Sequence, residues 1–181
     1  MNPIANNIKQ RLSLRKPLGE ALDVVAMLTD KLALKKPNTD EEYKTYLAEQ
    51  QTFAQEVCKH CKSFEREFPS FAFSIATGIG KTRLMAACIA YLYLKKGIRH
   101  FFILAPNLTL YEKLKRDFGE PSYEKYVFKG LAEFVANPPL VVTSDNYNSY
   151  QNSNNLFNQI EINIFNISKF NSENRGGAPR M

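Results

Sequence analysis

Thr77, Gly78, Ile79, Gly80, Lys81 and Thr82 put two glycines, a lysine and a hydroxyl where a short apolar run, residues 71–74, gives way to a helical pattern near Lys81. That grouping suits a phosphate. Backbone N–H groups converge on an anion only in a tight loop that side chains leave open, hence Gly78 and Gly80. Lys81 adds a point charge for the β- and γ-phosphates, and the Thr82 hydroxyl is a natural Mg²⁺ ligand. The candidate nucleotide contacts are therefore Thr77, Gly78, Ile79, Gly80, Lys81, Thr82 and Arg83, with Lys81 as the catalytic candidate and Thr82 as the metal ligand. The strict motif has a further glycine where Ile75 stands, but its Gly-x-Gly-Lys-Thr core is intact. A glycine-rich strand-to-helix turn with an incidental Lys-Thr is the plain alternative.

Cys58-Lys59-His60-Cys61 has the spacing of half a zinc site or a redox pair. No second Cys/His pair follows, and Cys88 and His100 stand alone, so a closed four-ligand site is not available locally. Both cysteines fit the apolar stripe Tyr43, Tyr46, Leu47, Phe53, Ala54, Val57, Phe64 of a helical stretch, and core packing accounts for them.

The surrounding periodicities supply the elements. Leu18, Ala21, Leu22, Val25, Leu28 and Leu32 predict an amphipathic helix over residues 17–34, with Pro17 in its first turn. Thr39 and Glu42 form a capping-box pattern that opens a second helix reaching almost to Pro69. Both helices are expected to pack on the sheet of the nucleotide site. Leu84, Met85, Cys88, Ile89 and Leu92 predict a helix that Gly97 ends. Residues 101–105 form an unbroken apolar run, the pattern of a central parallel strand buried on both faces. A helix over residues 108–118, with Leu110, Leu114 and Phe118 inward, precedes strands at 140–143 and 160–167, the last alternating through Ile162, Ile164 and Ile167. Residues 148–158 are Asn/Ser-rich and read as a loop. The order is that of an α/β protein with a parallel sheet and the phosphate loop at its C-terminal edge.

Composition is compatible with this. The chain has 181 residues, about one domain, and its formal charge of +6 favours an anionic partner such as nucleic acid. Its 3 cysteines argue against a disulfide framework. The polar, basic start and the absence of an apolar stretch of spanning length predict a cytoplasmic protein with no membrane partner.

Together these segments resemble the N-terminal motor domain of superfamily 2 helicases of the DEAD/DEAH type, most closely the Res subunit of type III restriction-modification enzymes. Residues 75–82 are similar to helicase motif I and residues 102–108 to motif Ia. Residues 142–147 stand in the place of motif Ib; residues 165–169 and 175–177 resemble the stretch preceding the acidic motif. The resemblance implies a partial RecA-like P-loop NTPase domain over residues 70–181, with an N-terminal helical segment, residues 1–69, packed on it. It implies ATP and Mg²⁺ as cofactors, and DNA and a modification (methyltransferase) subunit as partners. ATP hydrolysis would be coupled to DNA translocation in the intact enzyme. Pro106, Asn107, Thr143 and Ser144 carry over as DNA contacts, although Pro-Asn and Ser-Asp-Asn are also ordinary turn formers.

Two departures qualify the likeness. Leu18 stands where a glutamine that reads adenine is expected, which leaves adenine selectivity open, and no strand followed by Asp-Glu-x-His is present. The chain is therefore expected to bind ATP better than it hydrolyses it, and to be marginally soluble through an exposed strand edge; a sharp two-state melt of a monodisperse monomer would contradict the latter. Two other readings stay open: a non-catalytic nucleic-acid-binding remnant of an interrupted gene, and an unrelated P-loop NTPase using Asp145 as its acid.

Overall fold

The computed structural model describes residues 2–34, 37–147 and 159–167. Two helices open the chain. Helix α1 (Pro3–Arg11) starts at Asn2, whose side chain accepts from the N–H groups of Ile4 and Ala5, and α2 (Lys16–Lys31) carries Pro17 in its first turn. Helix α3 (Asp40–Val57) is capped by Thr39, whose Oγ1 accepts from the Glu42 N–H at 3.3 Å. Helix α4 (Lys81–Lys96) begins after Gly80 and ends at Gly97, which adopts φ 68°. Strand β1 (His100–Ala105) leads through Asn107, the N-cap residue, into α5 (Leu108–Gly119). A short α6 (Ala132–Ala136), β2 (Leu140–Thr143) and β3 (Glu161–Asn166) follow.

The three strands form one parallel sheet in the order β1-β3-β2, with His100 and Leu140 both in register with Glu161. Helix α5 covers one face, where Ile103, Ala105, Ile162 and Ile164 are buried. Helices α1 and α2 pack chiefly on α4, and α3 on α2. Ala86, Ala87, Ala90 and Tyr91 are completely buried in α4, and the small alanines are what lets two neighbouring helices approach it. Asn2 donates to the Tyr91 hydroxyl at 2.7 Å, while Lys9–Asp23 (2.8 Å) and Lys96–Asp30 (2.9 Å) tie the trio at its margins. Phe128 stacks on Phe134 at 4.4 Å and meets Phe118 edge-on at 5.6 Å, filling the space between α5 and α6.

Several expectations are corrected. Residues 71–74 join no sheet among the described residues; Phe73 is exposed, and without a neighbouring strand an extended run has only solvent for its backbone groups. Among the described residues β1 lies at an edge of the sheet rather than at its centre, with Phe102 (58%) and Leu104 (48%) exposed. An unbroken apolar run does not reveal whether both faces are covered. The central strand is β3, whose inward positions are Ile162, Ile164 and Asn166; Ile167 falls on the wrong parity and is exposed. Helix α3 stops at Val57, so Cys58 is its C-cap and Cys61 lies in the turn beyond, outside the helical stripe. Of the two long N-terminal helices, α2 packs chiefly on α4 and α3 on α2, rather than both lying directly on the sheet. The expected loop at 148–158 lies outside the described residues.

Two predictions follow from this packing. A β-carbon on Gly130 would sit 2.1 Å from the Arg11 carbonyl oxygen, so Gly130→Ala should lower stability by about 1–3 kcal/mol, read by chemical denaturation. Replacing exposed Phe102 and Leu104 with lysine should raise the monomeric fraction in sedimentation while changing stability by no more than ~0.5 kcal/mol per site.

Candidate phosphate-binding cleft

The turn entering α4 is a left-handed one. Gly78 has φ 74° and Gly80 φ 114°, backbone settings that side chains disfavour. Open space surrounds Gly78, whereas a β-carbon on Gly80 would come within 3.2 Å of Leu18 Cδ1. Leu18 is buried against the loop, so α2 holds the glycine turn from behind. Arg83 and Leu84 donate back to the Gly80 carbonyl at 2.9 and 3.1 Å, which starts the helix and leaves its positive end directed at the turn.

That turn forms one wall of a cleft of about 640 Å³, within the range of ordinary small-molecule sites. Gly78, Ile79, Gly80, Thr82 and Arg83 line this wall, while Thr77 and Lys81 are exposed outside the lining. The second wall comes from the α1–α2 connection, with Arg11, Ser13, Arg15 and Leu18. The third comes from Lys113 and Asp117 of α5 and from the segment carrying Lys125, Tyr126 and Lys129, pinned by a 2.9 Å bond from the Val127 N–H to the Asp117 carbonyl. Arg11, Arg15, Arg83, Lys113, Lys125 and Lys129 outnumber Asp117 and Glu124, so the cleft favours anions. Burial pushes the Tyr126 phenol up to about 12, keeping it neutral; it donates to the Phe134 carbonyl at 3.3 Å.

The residues on the second and third walls were not found by the motif, since they come from distant segments. Asp117 had a signal: it shares the inward face of α5 with Leu114 and Phe118, where a carboxylate is out of place. For Mg²⁺, the Thr82 hydroxyl is half-buried in the cleft wall, and no cluster of three or more His, Cys, Asp or Glu exists among the described residues. The donor set fits an ion that arrives held largely by phosphate oxygens.

Pro106, Asn107, Thr143 and Ser144 sit elsewhere, together at the C-terminal ends of β1 and β2 and outside the cleft lining. Asn107 caps α5, accepting from the Leu110 N–H at 2.9 Å. Thr143 is buried, its N–H donating to Asn146 Oδ1 at 2.7 Å, and the Ser144 hydroxyl lies 3.3 Å from that of Tyr111. Asp145 pairs with Lys115 at 2.9 Å on the same edge, and that hydrogen bond holds the Lys115 ammonium above the usual lysine range. Asp145 is not among the residues that line the cleft.

The family described as type III restriction enzyme, Res subunit, matches residues 29–178. A probable type III restriction-modification enzyme HindVIP Res subunit from Haemophilus influenzae is 41% identical over 56 residues, 31% of this chain and 11% of that relative. The matched stretch is thus a small part of the relative's length. No solved structure gave a match. No helix among the described residues is long and apolar enough to cross a membrane. The parallel sheet, its flanking helices and the family match make the fold a partial RecA-like α/β domain. By sequence over most of its length, and by the architecture that sequence adopts, this chain belongs to the family of type III restriction enzyme Res subunits.

Proposed function

We propose that the cleft is the site for Mg²⁺-ATP, and that the chain is the ATP- and DNA-binding front part of a type III restriction translocase acting in the cytoplasm. The observation that carries the reading is the pair of left-handed glycines opening onto the N-terminus of α4 inside a cationic cleft. In this reading the backbone of residues 77–80 cradles the phosphates, and Lys81 and Arg83 swing in from the rim to neutralise them. Thr82 supplies a hydroxyl to the metal. Residues 1–69 act as a helical support for a motor segment over residues 70–181.

DNA would lie across the edge formed by Pro106, Asn107, Thr143 and Ser144. With the capping and turn bonds of Asn107 and Thr143 already made, their remaining backbone and side-chain groups touch phosphate oxygens and position rather than read the strand. A modification subunit would supply sequence recognition, and ATP hydrolysis in the intact enzyme would drive stepping along DNA.

Two measurements test this. A fluorescent ATP analogue with Mg²⁺ should bind saturably, and Lys81→Ala should weaken it by about tenfold or more, or ~1.4 kcal/mol; a folded chain with no binding contradicts the nucleotide site. Single-stranded DNA should bind with an affinity that falls steeply as salt rises, the mark of phosphate contacts. Replacing Ser144 with Glu should weaken that binding while nucleotide affinity stays unchanged.

A further inference from the structure

Of the 3 cysteines, Cys88 packs on the main core, where burial pushes its thiol up to about 12. Cys58 and Cys61 belong to neither core cluster; both are free and half-buried, with Lys59, His60 and Lys62 exposed around them. The Cys58 N–H donates to the Ala54 carbonyl at 2.8 Å as α3 ends, and the Cys61 N–H returns to the Cys58 carbonyl at 3.0 Å. A turn closed in this way brings its end α-carbons within about 7 Å, close to the range a disulfide spans. The two side chains meet across it. The Cys61 thiol hydrogen-bonds the Cys58 sulfur, which the N–H groups of His60 and Cys61 also reach, and these bonds hold the Cys58 thiol below its usual range. The same bond, with burial, pushes the Cys61 thiol up. Among the described residues no third His, Cys, Asp or Glu joins the pair as a metal ligand.

We infer that Cys58 and Cys61 form a redox-active dithiol that exchanges with small anionic disulfides, Cys58 attacking and Cys61 resolving. The inference is independent of the cleft and its nucleotide. A reactive cysteine needs thiolate character, partial exposure and a positive surrounding, and Cys58 has all three. Its thiolate, having lost a proton to solvent, attacks one sulfur of the incoming disulfide; a mixed disulfide forms and the first thiolate leaves. Cys61 gives its proton to that thiolate, and its sulfur attacks Cys58 Sγ. The Cys58–Cys61 bond forms as the second thiolate leaves and takes a proton from solvent, so two electrons pass from the pair to a substrate released as two thiols. The turn is anchored before the reaction, by Ala54 on one side and on the other by Gln55 Nε2, which donates to the Lys62 carbonyl at 3.2 Å. A ring closed across four residues constrains the unfolded chain little, so the bond suits reversible exchange better than structural support.

The experiment incubates the reduced full chain with glutathione disulfide and follows intact mass, with peptide mapping of the linked sites. The wild type should lose two hydrogens through a Cys58–Cys61 bond, keep no glutathione, and return to the dithiol when reduced glutathione is added in excess. Cys61→Ser should retain one glutathione on Cys58, because the resolving thiol is gone. Cys58→Ser should react about tenfold more slowly or less, since the remaining thiol carries less thiolate. Iodoacetamide labelling of the wild type covers the case of a variant that fails to fold: Cys58 should label first, Cys61 about tenfold more slowly, and Cys88 only on unfolding. Glutathione retained by the wild type, no exchange at all, or equal labelling rates at Cys58 and Cys61 overturns the inference. Protection of both thiols by Zn²⁺ at half an equivalent per chain, with dimer formation, also overturns it and makes the pair half of a shared metal site.

Discussion

The burial of α4 is the constraint on which the rest depends. A sixteen-residue helix enclosed along its length by α1, α2 and the aromatic cluster has one end facing the cleft, and that end is its N-terminus. Its fully buried positions are alanines and one tyrosine, so packing is close and the axis is fixed. Fixing the axis fixes the direction of the helix dipole and of the first-turn N–H groups. The glycine turn is then held between two rigid bodies, the start of α4 and Leu18 of α2. A phosphate site built this way costs little reorganisation when an anion arrives.

The cleft joins parts that are distant in sequence, and the same contacts that stabilise the fold assemble its walls. The carbonyl of Arg11 closes on Gly130, and the carbonyl of Asp117 receives the Val127 N–H. Those two approaches bring the α1–α2 connection and the segment after α5 against one another and into the cleft that the glycine turn also lines. The basic residues they carry give an otherwise mild overall charge a local focus. Among the described residues the sheet face carrying Phe102 and Leu104 is exposed.

What the sequence revealed was governed by local physics. Thr39 caps its helix through its own side chain, Gly97 adopts the left-handed setting that ends α4, and Gly78 and Gly80 take the positive φ values their turn demands. Each is decided within four or five residues. The features that escaped are decided by partners far away. Strand character at residues 71–74 needs a neighbouring strand, and the central place of β3 needs knowledge of which runs pair. Helix α1 is mostly polar and is recruited through a few contacts, Ala5, Ile8 and the bond from Asn2 to Tyr91. Of the site, the turn was legible and the opposite walls were not, because nothing in Arg11, Arg15 or Lys129 marks them as neighbours of Gly80.

The central claim is that a nucleotide's phosphates lie against the first turn of α4. Amide hydrogen exchange with and without Mg²⁺-ATP tests it most directly, because the proposed ligand bonds are made to backbone N–H groups. Slowed exchange at residues 78–83, with lesser protection in the walls around Ser13 and Lys125, is the expected result. Unchanged exchange at that turn in the presence of bound nucleotide, or protection confined to the ends of β1 and β2, would contradict it.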